Sequence, residues 1–516
     1  MQSPHVIVIG AGIGGLTTAA LLAQTGHRVT VLEANTYPGG SAGTFYHKGY
    51  RFDAGATVAG GFQANGPHTL LGQQLGIVWP VRAADIAWTI HLPDRAITFD
   101  RSREDVLSQF PESASFWTEQ TQIADLSWSM AASGLPWPPR SAAEAMQLAQ
   151  TAARHLPESI HLLPLMFRST GNWLARHNLA DNHTFRRMID AQLLISAQTT
   201  TPHANSLYSA TALDLPRQGV YHVGGGIGTL AETLVAKIKA LGGNVHYRHT
   251  VTEIEIKNKQ ARGVWFKVGK RAKQAQFMPA DFVIANLTPW NLHQLLGDSS
   301  PAQLAREVTN RQLGWGAFVL YLGVRADALP DNNADHHQII TDYESPLGEG
   351  NSIFVSLSPT WDTSRAPAGH RAVTITTHTE VDTWWDLLTA DYATYDARKQ
   401  QYTERILAAV ETHLPGFSTG IALAMPGTPI TYYTYTQRHR GMVGGFPQTS
   451  IFRARGSRTG SPNIRLVGDS IFPGQSTAAV TLGGMQVAAD VKRALRTRQP
   501  RMITRPINDV MMRKKV

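Results

Sequence analysis

The chain contains no cysteine. Disulfides, thiolate metal sites, cysteine nucleophiles and iron–sulfur clusters are therefore excluded, and the redox compartment stays open. Long apolar runs are missing as well: no stretch reaches the roughly 18 uninterrupted apolar residues of a membrane-spanning helix. The N-terminus enters a strand-like run almost at once, which leaves no room for a signal peptide and predicts a cytoplasmic protein. Charge is scarce, at 16% of residues against roughly 25% in ordinary soluble chains. That shortage leaves apolar surface for a large buried cavity or for contact with a bilayer. The charge present is uneven. Lys492 to Val516 holds nine cations against the single Asp509, which accounts for nearly all of the net +9. A solvated tail is the plain reading of this segment. Attraction to anionic lipid is the sharper one, at about 1 kcal/mol per cation near the surface. No basic stripe with interleaved aromatics accompanies it, so nucleic acid is not an expected partner.

The chain is also rich in one instruction. Val6 to Ile9 is a β-branched apolar run, followed at once by Gly10-Ala11-Gly12-Ile13-Gly14-Gly15. Leu16 to Gln24 reads as a helix, Gly26 as its C-terminal glycine, and His27 to Leu32 as a return strand ending at Glu33 and Ala34. This is a dinucleotide-binding βαβ unit. Gly10 permits the tight turn, and Gly12 lets backbone approach a pyrophosphate. Ile13 and Gly14 lie in the turn just before the helix, whose first N–H groups face the phosphate charge. Gly15 allows helix to pack closely on strand. Glu33 is placed to accept a hydrogen bond from a ribose hydroxyl, and no arginine follows to hold a 2′-phosphate. FAD or NAD is expected, not NADP.

Three later segments select FAD. Gly39, Gly40 and Ser41 follow the acid, where a second close backbone approach is useful. Gly55, Ala56 and Thr57 supply small residues suited to a flat ring. Leu466 to Val480 combines a strand, Gly468-Asp469, and a helix start at Ser476-Thr477. That helix start aims N–H groups where negative charge collects on flavin reduction. Gly39-Gly40-Ser41-Ala42-Gly43 also matches the hydrolase pattern G-x-S-x-G, but a hairpin follows instead of the helix the nucleophile elbow needs. None of the 20 histidines forms H-E-x-x-H. His336-His337 reads as a polar loop, and no metal is expected. Trp384-Trp385 and Tyr432-Tyr433-Tyr435 read either as core or as cavity wall.

At 516 residues the chain exceeds what one core usually supports. The expected fold class is α/β (α+β overall): a Rossmann-type FAD-binding domain with a parallel sheet, and a discontinuous substrate domain of mixed sheet and helices. The cofactor domain is drawn from 1–85, 220–295 and 455–495, the substrate domain from 86–219 and 296–454, with a basic tail at 496–516. Hairpins are expected at 44–52 and 86–99, helices over 102–197, and strands at 220–223, 251–256, 263–268, 281–285, 315–323, 352–358, 372–379 and 464–467. The second glycine cluster, Gly224 to Gly228, lacks the G-x-G-x-x-G spacing and reads as a tight connection into a helix over 229–241. Residues 152–174 mix Leu156, Ile160, Leu163, Met166 and Phe167 with arginines. They read either as an interfacial amphipathic element or as a core helix.

Together these pieces resemble the carotenoid desaturase and isomerase branch of the FAD amine-oxidase-like superfamily, over His5 to about Arg493. The likeness is most specific at Gly10–Glu33, Pro38–Gly43, Tyr50–Thr57 and Val467–Ala479. Phe354–Ser356, Arg365–Gly369, Val381–Trp385 and Gly441–Gly445 look most like bacterial carotenoid 3′,4′-desaturases. Prolycopene isomerases share the first and last motifs. The resemblance implies an FAD enzyme, peripherally attached to a membrane lipid surface, acting on a carotenoid. By position, Glu33 would bind the adenosine ribose, Val251 would touch the adenine, and Gly468-Asp469 with Ser476-Thr477 would contact ribityl and pyrimidine. Desaturation by hydride transfer is the leading activity. Redox-neutral cis–trans isomerisation, oxidation of a polar amine and non-catalytic lipid carriage stand as alternatives. The resemblance names no catalytic residue and no oligomeric state.

Overall fold

The structure is a computed structural model that describes residues 3–133, 137–139, 141–156, 160, 162–329 and 334–498. Five short strands form a parallel sheet in the order Ile464–Leu466, Phe282–Ala285, His5–Ile9, Arg28–Leu32, Asn244–His246. Val6, Ile7 and Val8 are wholly buried, because a parallel sheet is covered on both faces and its strands carry continuous apolar runs. Helix Ile13–Gln24 follows the first strand and packs against Thr229–Ala240 and Thr477–Arg498. It stops where Gly26, at φ +80°, lets its own N–H and that of His27 bond the Ala23 and Leu22 carbonyls, a Schellman ending. Strand Asn244–His246, absent from the expected set, takes the sheet edge. Strand Tyr221–Val223 pairs instead with Val81–Ala83, outside this sheet.

A second sheet has seven strands in the order Ile421–Gly427, Gly316–Arg325, His370–Thr379, Ser352–Leu357, His336–Ile340, Ile86–Leu92, Arg95–Asp100. Alternation along its strands sorts side chains between two faces. Phe318, Leu320, Ile353, Val355 and Ile375 pack with Trp384 and Tyr402, which belong to helices Val381–Ala390 and Tyr392–His413. Ala317, Val319, Phe354 and Thr376, one step out of phase, face a cavity. A third packed region joins Trp88 and Phe99 to Phe116, Trp173 and Phe185, on helices Ala114–Ala132, Thr170–Arg176 and His183–Ala197.

Three expectations are corrected. His336-His337 is not a polar loop but the start of a buried strand; its polar neighbours in sequence conceal a segment that pairs with Ile86–Leu92. The basic C-terminal segment is helix, not tail, over its first residues, 492–498. Helix Thr477–Arg498 carries Lys492, Arg493 and Arg496 in its last turns, held by buried Val491 and Leu495; residues 499–516 lie outside the described residues. Finally, 152–174 is not one element. It is divided among the end of helix Ala142–Arg154, the short helix Leu162–Met166 and Thr170–Arg176. Leu165, Trp173 and Leu174 enter the core, whereas Leu156, Ile160, Leu163 and Phe167 are exposed.

Candidate functional site

Four glycine-bearing segments meet at the C-terminal end of the parallel sheet. The opening turn lies on Asn286, the residue after strand Phe282–Ala285. A Cβ at Gly12 would stand 2.3 Å from Asn286 Nδ2, and one at Gly15 would stand 2.8 Å from Asn286 Cβ. Close packing on Asn286 is therefore a second reason for both glycines. Gly39, at φ +112°, donates its N–H to the Ala11 carbonyl at 2.8 Å. Ala56 N–H donates to the Ser41 carbonyl at 2.9 Å, which brings the third segment onto the second. The closing segment completes the ring: a Cβ at Gly14 would lie 3.3 Å from the Gly468 nitrogen. Residues some 450 positions apart thus share one wall.

Glu33 sits at the end of Arg28–Leu32, and its two carboxylate oxygens accept N–H bonds from Ala11 and Asn35, each at 2.7 Å. Burial pushes its carboxyl above the usual range, while those N–H groups pull it back. Asp469 has a different partner: its carboxylate takes Arg438 Nη1 at 2.9 Å. Burial alone would lower the Arg438 guanidinium, but Asp469 and Tyr432 carry it above its ordinary value. Thr477, at the N-terminus of the last helix, has a buried hydroxyl with no hydrogen-bond partner among the described residues.

One cavity of about 1460 Å³ runs past all these groups; a typical small-molecule site holds roughly 300–1,000 Å³. Of the residues expected at a cofactor site, Gly10, Gly12, Ile13, Gly14, Glu33 and Ala34 line it. So do Gly39, Gly40, Ser41, Gly55, Ala56 and Thr57, and also Val251, Gly468, Asp469, Ser476 and Thr477. Gly15 does not; it is buried behind the turn against Asn286. Away from the glycines the cavity turns apolar, with Trp128, Met130, Leu148, Leu163 and Met166 in its wall. Leu156, Ile160 and Leu163 line the cavity and are each 54% exposed, so its apolar limb opens at the surface. Phe167 and Phe452 stack beside this mouth, 5.0 Å between centroids.

The cavity wall also holds a polar belt with no sequence signal: Gln192, Gln198, Gln338 and His378. Gln198 Nε2 stands 3.4 Å from His378 Nε2. Burial lowers the His378 imidazole to about 4, so it is neutral at pH 7. Gln192 sits inside an ordinary helix, Gln198 just past its end, and Gln338 and His378 in ordinary strands; only the packing of that helix on the seven-stranded sheet collects them. Asn286, Arg438 and Gln475 also lie outside the expected set. Asn286 ends a recognisable strand and Gln475 falls within the recognised closing segment; Arg438 carries no local signal. Tyr432, Tyr433 and Tyr435 line the cavity, whereas Trp384 is core and donates to Thr379 Oγ1 at 2.9 Å. Asp53 is structural: it accepts from Thr44 Oγ1 and from the Ile227 N–H, and pairs with Arg365 at 3.0 Å. The Gly224–Gly228 cluster is accordingly a packed connection, in which a Cβ at Gly228 would meet the Thr44 nitrogen at 2.4 Å.

Among the described residues no group of three His, Asp or Glu could hold a metal ion, and no helix is long and apolar enough to cross a membrane. In overall fold the chain is similar to an oxidoreductase from Methanosarcina mazei, with TM-score 0.65 and 18% identity, covering 94% of this chain and 100% of that one. It is also similar to putrescine oxidase bound to putrescine, with TM-score 0.62 and 16% identity, covering 95% and 99%. In sequence it is 30% identical to prolycopene isomerase 1 of an Oncidium hybrid cultivar, over 94% of this chain and 84% of that protein. It is 23% identical to the neurosporene-forming phytoene desaturase of Cereibacter sphaeroides, over 97% of each. The family model of flavin containing amine oxidoreductases matches residues 13–492, from the start of the first helix, through the seven-stranded sheet, to near the end of the closing helix. The chain belongs to the flavin containing amine oxidoreductase family, in the branch of carotenoid desaturases and isomerases.

Proposed function

We propose that the protein is an FAD-dependent carotenoid desaturase, with C-3′,4′ desaturation as its specific reaction. One observation carries the reading: a single cavity joins a dinucleotide cradle to an apolar limb that opens at the surface. The cradle fits FAD in its donors and acceptors. Glu33 offers carboxylate oxygens to a ribose, the starts of helices Ile13–Gln24 and Thr477–Arg498 offer N–H groups to phosphate and pyrimidine, and Thr477 has a hydroxyl to spare. Gly55, Ala56 and Thr57 would leave room for a ring, and Val251 would meet the adenine.

When bound, FAD supplies a two-electron acceptor able to take a hydride. The chain does the rest by holding and drying. Ala317, Val319 and Phe354 present a flat sheet face along which an extended hydrocarbon lies. With FAD bound, hydrogen on a carbon next to a conjugated polyene would depart with its electron pair to the cofactor, the resulting cation would spread over the chain, and the neighbouring proton would pass to a base as weak as water. Positioning therefore dominates, with reacting atoms about 3–3.5 Å apart. The neutral His378 and the glutamine belt hold the substrate in register without charge.

The exposed Leu163, Phe167 and Phe452 around the mouth favour a membrane lipid surface as the place where a water-insoluble substrate enters. Liposome flotation of a variant with Leu163→Glu and Phe167→Glu is expected to lose most membrane binding while keeping its fold; undiminished binding contradicts this part of the reading. Redox-neutral cis–trans isomerisation is a second reading, supported by the identity to prolycopene isomerases. Expression in a bacterium supplied with candidate carotenes separates the two. A desaturase produces pigment with a red-shifted absorption from a longer chromophore. Geometric isomers with no added double bond would overturn the desaturase assignment.

A further inference from the structure

Part of the cavity wall comes from one stretch of chain, Tyr432 to Gln448, which follows the sheet strand Ile421–Gly427 and lines the cavity with Tyr432 to Arg438, Val443, Gly444 and Gln448. It is tied down along its length. Asn35 Nδ2, beside Glu33, donates to the Tyr435 carbonyl at 3.1 Å. Asn291, in the helix that begins after Asn286, donates to the Gln437 carbonyl at 3.0 Å and accepts from the His439 N–H at 3.1 Å. Gly445 N–H donates to Gln475 Oε1 at 3.0 Å, and Gln448 Nε2 donates to the Pro473 carbonyl at 3.1 Å. This stretch therefore crosses from the acid end of the cradle to the Gly468-Asp469 end, like a strap.

Arg438 stands at its centre, with the side chain largely buried at 16% exposure. All three guanidinium nitrogens are used. Nε donates to the Met442 carbonyl at 2.8 Å, Nη2 to the Gly444 carbonyl at 2.6 Å, and Nη1 to Asp469 at 2.9 Å. Two bonds fold the strap on itself and the third fastens it to the closing segment. The chain turns sharply on both sides: Gln437 is at φ +55° and Arg440 at φ +51°, left-handed conformations that non-glycine residues hold only when their surroundings fix them. The planar fork suits such a triple role, which a lysine ammonium cannot reproduce.

We propose that Arg438 is a positioning residue of the cofactor site, the latch that closes the strap over the cavity and neutralises Asp469 beside the flavin. The proposal rests on the reading of this cavity as the FAD site. Its consequence is electrostatic as well as mechanical. Reduction adds negative charge to the flavin, and a nearby carboxylate opposes it unless a cation stands against that carboxylate. Arg438→Gln unmasks Asp469, so the flavin midpoint potential falls and the FAD dissociation constant rises about tenfold or more. Asp469→Asn leaves the guanidinium unopposed and moves the potential the other way. The double variant returns toward wild type. Arg438→Lys keeps the charge but loses the fork, so the potential stays close to wild type while FAD leaves faster.

The test is a spectroscopic redox titration and a fluorescence measurement of FAD release on the purified flavoprotein and these four variants, with circular dichroism as the check on folding. Opposite shifts in the two single variants, cancelling in the double, support the latch; a merely structural arginine does not produce that pattern. Unchanged potentials and unchanged FAD release in folded variants overturn it. Should Arg438→Gln fail to fold, Asp469→Asn and Arg438→Lys still decide, through the raised potential of the first and the faster release of the second. A wild-type protein that neither carries nor binds FAD would overturn the functional reading itself, a result distinct from flavin-loaded variants that behave alike.

Discussion

His68 shows how far a single side chain can be from its sequence appearance. It lies 1% exposed, stacked 4.5 Å from Phe62, with neither ring nitrogen partnered among the described residues. Burial holds it down to about 3. His336 and His337 are likewise lowered by burial, to about 3 and about 4, in a strand whose polar sequence resembles a loop. All three are neutral in the fold at pH 7 and charge more readily when unfolded. Their contribution is present above pH 6.5 and lost as pH falls from 6.5 toward about 4. Each costs about 1.4 kcal/mol per pH unit over that window. Denaturant unfolding is expected to show a clear loss of stability between pH 7 and pH 5. His68→Phe, which keeps an aromatic ring and removes one titrating group, should flatten that slope; an unaltered slope would contradict the assignment. Composition gave the number of histidines. Which ones lie in dry surroundings depends on strand pairing between segments some 250 residues apart.

Elements with a strong local period were legible. The first strand, its glycine turn and its helix lie where the pattern puts them, since glycine spacing and a β-branched run are local signals. So do the hairpins Thr44–His47 with Tyr50–Asp53 and Ile86–Leu92 with Arg95–Asp100. Helices Val381–Ala390 and Tyr392–His413 went unread. Their inward faces are aromatic, with Trp384, Tyr395 and Tyr402, and aromatic residues side by side do not announce a helical period. The last helix was legible at its start, but its partner was not. Gly484 faces helix Ile13–Gln24 so closely that a Cβ there would lie 2.7 Å from the Gly14 carbonyl, and Thr18 Oγ1 donates to the Gly484 carbonyl at 3.0 Å. Gly484→Leu is expected to force the two helices apart, at a cost of about 1–3 kcal/mol or more. Because both helix starts line the cavity, FAD retention should fall with stability, read by flavin fluorescence alongside thermal unfolding. A variant that retains FAD and wild-type stability would show that this contact does not set the cradle.

At the scale of the whole molecule, function depends on a meeting that no local motif encodes. The cradle is built from the two ends of the chain, and the apolar limb from helices and sheet strands in between. Segment by segment, the cradle residues were readable because each serves a recurrent geometry. The glutamine and histidine belt and the Arg438 latch were not, because only the packed sheet and strap bring them together. A flavin and a polyene held within reacting distance in one cavity exchange electrons without any third partner, and anaerobic mixing shows whether they do. Purified, flavin-loaded protein is mixed with its carotene in the absence of any other acceptor, and both absorption bands are followed. One turnover is expected: the flavin band bleaches as an equal amount of carotenoid with a longer chromophore appears, and the reaction then stops. A flavin band that stays oxidised throughout, with carotenoid either untouched or converted over many turnovers, would contradict it.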